Sequence, residues 1–169
     1  MSKEDLADTG FAETGQPDSP FSLQNYFPYR INTLANTISK AIAQIYITRF
    51  NLTRPECRIL ASLSDKTGLT AQDIAHITIL DKMQVSRAVA QLEADGLVKR
   101  KQDQHDRRNK ILHLTQRGRD LFDKIVPLAR ARENNILSAL SADERANLAT
   151  IMNKLEARAV YLLQQEQTE

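Results

Sequence analysis

The chain has 169 residues, 41% of them hydrophobic, a net charge of +2 and one cysteine, enough for one domain with a sizeable core and no intrachain disulfide. It holds no apolar run near the ~20 residues that cross a bilayer and no basic-then-apolar leader, so the expectation is a soluble, cytoplasmic protein with no membrane partner. A charge this mild does not argue for nucleic-acid binding; only its local placement can.

Residues 1–20 mix Lys3, Glu4, Asp5, Asp8, Glu13 and Asp18 with Gly10, Gly15, Pro17 and Pro20. Such a segment buries too little apolar area to offset its ordering entropy, which predicts a disordered N-terminal arm. Residues 21–169 are then expected to form a single domain. Pro28 permits a long helix from about Tyr29 to Phe50, in which Ile31, Leu34, Ile38, Ile42 and Ile45 form a stripe expected to be buried. Thr53 and Glu56 stand at capping-box spacing and open the next helix, with Ile59, Leu60 and Leu63 facing inward.

Thr70 caps a short helix whose inward residues are Ala71, Ile74 and Ala75. A tight connection through Thr78 and Leu80 leads to Asp81 and Gln84, a further capping box. Val85, Val89 and Leu92 then recur at i, i+4 and i+7, and Gly96 supplies a left-handed stop. The opposite face carries Met83, Arg87 and Ala90, flanked by Gln84, Ser86 and Gln91. Donors, acceptors and an apolar group at the N-terminal end of such a helix are what the second helix of a helix-turn-helix presents to base edges. Leu97 and Val98 start a strand that Lys99, Arg100 and Lys101 continue, and Ile111, Leu112 and Leu114 form its return. Six Lys/Arg and two Asp lie between Lys99 and Lys110, so this hairpin carries +4 against +2 for the whole chain. A basic hairpin directly after a helix-turn-helix is a wing suited to phosphates or a minor groove.

A long helix follows from Thr115, carrying Leu121, Phe122, Ile125, Leu128, Ala129, Ile136 and Leu140. Pro127 lies inside it and should bend it or break it. Ser141 and Glu144 make another capping box before a last helix with Leu148, Ile151, Leu155, Ala159 and Leu162 on one side. This much apolar helix surface calls for pairing, either with a second copy of the chain or in an intramolecular bundle around the first helix.

The run LDKMQVSRAVAQLEADGLVKR, followed by DRRNKILHLTQRG over 106–118, resembles the MarR family of winged-helix transcription regulators, with Asp106 and Arg108 at the family's Asp-x-Arg pair. The likeness spans roughly residues 25–163. It implies a mainly α fold: a winged helix-turn-helix over 53–115 with a small β-hairpin wing, and long helices over 29–50 and 115–165 forming a dimerisation platform. It further implies a homodimeric repressor bound to double-stranded DNA at a pseudo-palindromic operator and released by a small organic effector. Arg87 is the leading candidate for base or phosphate contact, Met83, Gln84 and Ser86 follow by position in the motif, and Lys82 suits a phosphate. In the wing, Arg107 and Arg108 compete for DNA, with Asp106 setting the wing's shape. The family's ligand site lies between platform and reading head. Near the start of the first helix, Tyr26, Tyr29 and Arg30 either combine aromatic surface with a cation suited to an aromatic or phenolic acid or form a staple that anchors the helix entry.

Other chemistry finds little support. Five glycines form no phosphate-cradling loop and no triad-like arrangement stands out, so an enzyme is not expected. His76, His105 and His113 have no metal-ligand spacing, and no cofactor is expected. Cys57 reads as a packing residue. The rival is a winged-helix protein-interaction module that does not read DNA.

Overall fold

The computed structural model describes residues 21–66, 68–102 and 110–166; the expected arm and the wing tip, with His105, Asp106, Arg107 and Arg108, lie outside the described residues. The chain divides into two compact units, one ending at Ile125 and one beginning at Val126. In order, the elements are α1 (Phe27–Phe50), α2 (Arg54–Asp65), β1 (Leu69–Thr70), α3 (Ala71–Thr78), α4 (Lys82–Ala94), β2 (Val98–Gln102), β3 (Lys110–Leu114), α5 (Gln116–Leu137) and α6 (Ala142–Glu166). Among the described residues no helix is long and apolar enough to cross a membrane.

The helix starts follow from local chemistry. Thr53 and Glu56, Asp81 and Gln84, and Ser141 and Glu144 each exchange reciprocal bonds between side chain and backbone N–H. Thr70 and Asp73 make a fourth box, where the sequence predicts only the threonine cap. Each cap contributes about 1 kcal/mol by satisfying amide donors that the helix leaves free. Glu56 is buried, and its carboxylate accepts the Thr53 N–H at 2.8 Å, which makes its burial tolerable.

These caps place three apolar helix faces around one core. Ile59, Leu60 and Leu63 of α2 meet Ile74 of α3 and Val85, Ala88, Val89 and Leu92 of α4. A three-stranded antiparallel sheet in the order β1-β3-β2 closes the core through Val98, Leu112 and Leu114. β1 is a strand of two residues, too short to carry an alternation pattern, and it was not expected from the sequence. Leu69 pairs with Leu112, and Val98 with Leu114.

Two expectations are corrected, and at Pro127 one of two alternatives is excluded. Ala71 is exposed, because the first residue of α3 sits on the rim of a groove and Thr78 takes the inward position one turn beyond Ile74. The α1 stripe is buried only at its C-terminal end, where Ile45, Ala43 and Tyr46 join the interior, while Ile31 and Leu34 are 46% and 56% exposed. With 24 residues α1 is about 36 Å long, and only its last turns reach the core. α5 continues through Pro127 without a break, although Asp123 loses the amide that would ordinarily bond its carbonyl. In the second unit, all residues of α6 are exposed, including Leu148, Ile151, Leu155, Ala159 and Leu162.

The end of α4 is tied to the start of α5 by backbone contact. Gly96 adopts φ +67, ending α4 in the left-handed region. The Thr115 N–H donates to the Leu97 carbonyl at 3.0 Å, and the Thr115 hydroxyl donates to the Gly96 carbonyl at 2.7 Å. Gly118 then lies so close that a methyl group there would stand 2.0 Å from the Leu97 oxygen. Gly118→Ala should therefore destabilise the protein by roughly 2–3 kcal/mol in urea unfolding, although alanine is the better helix former by about 1 kcal/mol. A midpoint equal to or above that of the parent would contradict this close approach.

Candidate nucleic-acid interface

The outward face of α4 is built by subtraction. Once Val85, Ala88, Val89 and Leu92 are sunk in the core, Lys82, Met83, Gln84, Ser86, Arg87, Ala90 and Gln91 are left exposed. All five residues expected from α4 therefore lie in solvent on the helix that follows the turn. Gln84 is partly committed, since its side-chain oxygen accepts the Asp81 N–H at 3.2 Å, leaving its amide hydrogens to donate. Gln91 is also engaged, donating to the Asp95 carboxylate at 3.1 Å. The guanidinium of Arg58, from α2, holds the Thr78 carbonyl at 3.2 Å and braces the turn between α3 and α4. Nothing in the spacing around Arg58 announces a bond that spans twenty positions.

The pleat of the wing divides its charges between two faces. Arg100 and Lys110 share the inner face with Val98, Leu112 and Leu114, whereas Lys99 and Lys101 project from the outer face with His113. Arg100 makes an ion pair of 2.7 Å with Glu93, binding the wing to the C-terminal half of α4. Period-two alternation in β2 would have revealed this division; counting charges along the hairpin concealed it. On the inner side, Lys82, Ser86, Arg100 and Lys110 border an open groove of about 570 Å³ floored by Val85 and Leu112. On the outer side, Lys99, Lys101, His113 and Arg119 surround a smaller hollow of about 150 Å³. A third hollow, of about 540 Å³, lies by Asn51, Asp95, Arg117, Asp120 and Lys124.

None of these three concavities is lined by Tyr26, Tyr29 or Arg30. Tyr26 and Tyr29 are 47% and 41% exposed, and Tyr26 packs against Phe21 with ring centroids 5.4 Å apart. That contact lies at the entry to α1. Among the described residues no group of His, Cys, Asp and Glu has the arrangement of a metal site. Cys57 is a free, half-buried thiol whose pKa burial pushes up to about 11, so its place in the first turn of α2 does not activate it.

A capped helix pair joined by a braced turn, an exposed polar face on the second helix and a basic hairpin behind it define a winged helix-turn-helix, the architecture of DNA-binding transcription regulators. Comparison with known proteins agrees. The MarR family model matches residues 50–109. The HTH-type transcriptional regulator TtmR of Methylorubrum extorquens is 29% identical over 152 residues, covering 88% of this chain and 76% of that protein. The uncharacterized HTH-type transcriptional regulator YkoM of Bacillus subtilis is 32% identical over 108 residues, covering 64% of this chain and 70% of that protein. The crystal structure of a MarR-family transcriptional regulator from Silicibacter pomeroyi superposes with a TM-score of 0.67 at 29% identity, over 81% of this chain and 92% of that one. The chain belongs to the MarR family. It is a transcription regulator of that family, whose members are not enzymes.

His113 offers a probe of the wing in solution. Its pKa is held below the ordinary 6.5 by burial first, and then by Lys101 and Lys99. The unfolded chain therefore takes up the proton before the folded protein does, and stability should decline as pH falls from 6.5 through the lower folded value. His113→Gln should flatten that part of the melting-temperature profile, above the range in which Asp73 and Glu144 lose their own contributions. An unaltered slope would remove His113 from the account.

Proposed function

We propose that the protein acts as a homodimer that represses transcription from a pseudo-palindromic operator and is released by a small organic effector. The observation that carries this reading is the exposed Met83–Arg87 face of α4, held at a fixed rotation by the core beneath it. Arg87 is assigned to bases or to the phosphates at the groove edge, Met83, Gln84 and Ser86 to the base edges, and Lys82 to a phosphate. Arg107 or Arg108 would reach the minor groove, with Asp106 shaping the wing. In this reading residues 53–115 are the reading head, and helices over 29–50 and 115–165 carry the two-fold contact. Two separate surfaces support the dimer: Ile31 and Leu34 along α1, and Ile151, Met152, Leu155, Leu162 and Leu163 along α6 are all more than two-fifths exposed. Apolar helix faces of this extent mark association surfaces. A two-fold dimer presents two copies of α4 to half-sites one DNA turn apart.

MarR-family regulators act as dimers that bind DNA and small-molecule ligands, which supports an effector here too. Tyr26, Tyr29 and Arg30 are its assigned contacts, with the cation meeting a carboxylate or phenolate.

Binding to mixed genomic fragments across a salt series tests the DNA reading. Two or three cations per protomer on phosphates give a slope of log affinity against log salt of about −4 to −5. Failure to retain DNA even at low salt would favour a winged helix that engages proteins instead. On a selected operator, Arg87→Ala should lose on the order of tenfold or more in affinity while sedimentation still reports a dimer. Operator selection indistinguishable from that of the parent would remove Arg87 from base reading.

A further inference from the structure

Four described residues have positive φ, and three of them are types for which that region costs little: Asn51, Gly68 and Gly96. The fourth is Ile79, a β-branched residue at φ 53, ψ 42. It ends α3 and stands two positions before the Asp81 cap of α4. Left-handed geometry is strained for isoleucine and is kept only where the surroundings enforce it.

Here they do. The Ile79 N–H bonds back to the Ala75 carbonyl, the Leu80 N–H reaches the same oxygen at 3.3 Å, and the Leu80 side chain packs on the core. On the other side Arg58 holds the Thr78 carbonyl, and the Thr78 hydroxyl bonds the Ile74 carbonyl at 2.6 Å. The backbone of the turn is thus fixed without help from the Ile79 side chain, which is 90% exposed. Glycine would meet every packing need at this position. The isoleucine is a bare branched hydrocarbon set out in water at the mouth of the reading helix, with Ile77 and Met83 exposed nearby in the chain.

The exposed cations Lys82 and Arg87 follow this apolar group in sequence and favour a polyanionic partner over an apolar protein surface. In the major groove the apolar feature available is the C5-methyl group of thymine. We propose that Ile79 is a specificity-determining residue whose side chain packs on a thymine methyl at the edge of each half-site. This rests on the reading of α4 as the groove-reading helix.

The test uses the full-length protein and the duplex it selects from a random-sequence library. Each thymine of that duplex is replaced in turn by deoxyuridine, which removes only the methyl group. The parent protein should lose about fourfold in affinity, the worth of one buried methyl, at one thymine in each half-site. Ile79→Asn, a side chain that tolerates left-handed geometry, loses the contact in both half-sites and should bind the unmodified duplex about sixteenfold more weakly, ignore deoxyuridine at that position and melt no lower than the parent. Equal deoxyuridine sensitivity in both proteins, or unweakened binding by the variant, overturns the inference while leaving α4 as the reading helix. A lower melting temperature for the variant overturns it too, because Ile79 would then be retained for packing. If the parent selects no duplex at all, the DNA reading falls and this inference with it.

Discussion

The one-sided burial of α4 governs everything outside it. Val85, Ala88, Val89 and Leu92 are at most 5% exposed, and each of the larger side chains contributes on the order of 1.5–3 kcal/mol by leaving water. Rotating the helix by one residue's angle would bring several of them into solvent, a loss comparable to much of the stability of a small domain. The rotation is therefore fixed, and so is the direction of Met83 and Arg87. The Asp81 cap, the Arg58 brace and the Arg100–Glu93 pair each add a local tether to a helix already oriented by its core.

Features settled within one or two helical turns were legible in the sequence. The capping boxes at Thr53, Asp81 and Ser141 and the inward faces of α2 and α4 depend on neighbours three to seven positions away, and all of them stand as read. Gly96 likewise carries its own turn chemistry. The features that escaped depend on distant partners. The reach of Arg58 to the turn and the pairing of Leu69 with Leu112 leave no periodic trace. The stripe of α1 was continuous on paper, but an amphipathic pattern reports that a face wants cover, not which chain supplies it. The candidate reading face was legible for the same reason as the helix beneath it, whereas the division of the wing's cations required knowing the strand register.

Charge and polarity are arranged locally rather than in total. A chain of only +2 gathers Lys99, Lys101, His113 and Arg119 around one hollow and Lys82, Arg100 and Lys110 around another. Burial first, and then Lys101 and Lys99 of the first set, lower the basicity of His113, and the second set commits one cation to Glu93. The thiol of Cys57 answers to the same influence, since burial dominates its titration despite a helix start nearby. Each group answers to its immediate surroundings, so neither net charge nor motif position alone predicts its behaviour.

The junction of Leu97, Thr115 and Gly118 has a mechanical meaning. Main chain rests on main chain there, and the one side chain between, the Thr115 hydroxyl, is held by the Gly96 and Leu97 carbonyls and the Gly118 N–H. A joint of that kind has no slack. The start of α5 and the segment that follows α4 are therefore fitted to each other backbone to backbone.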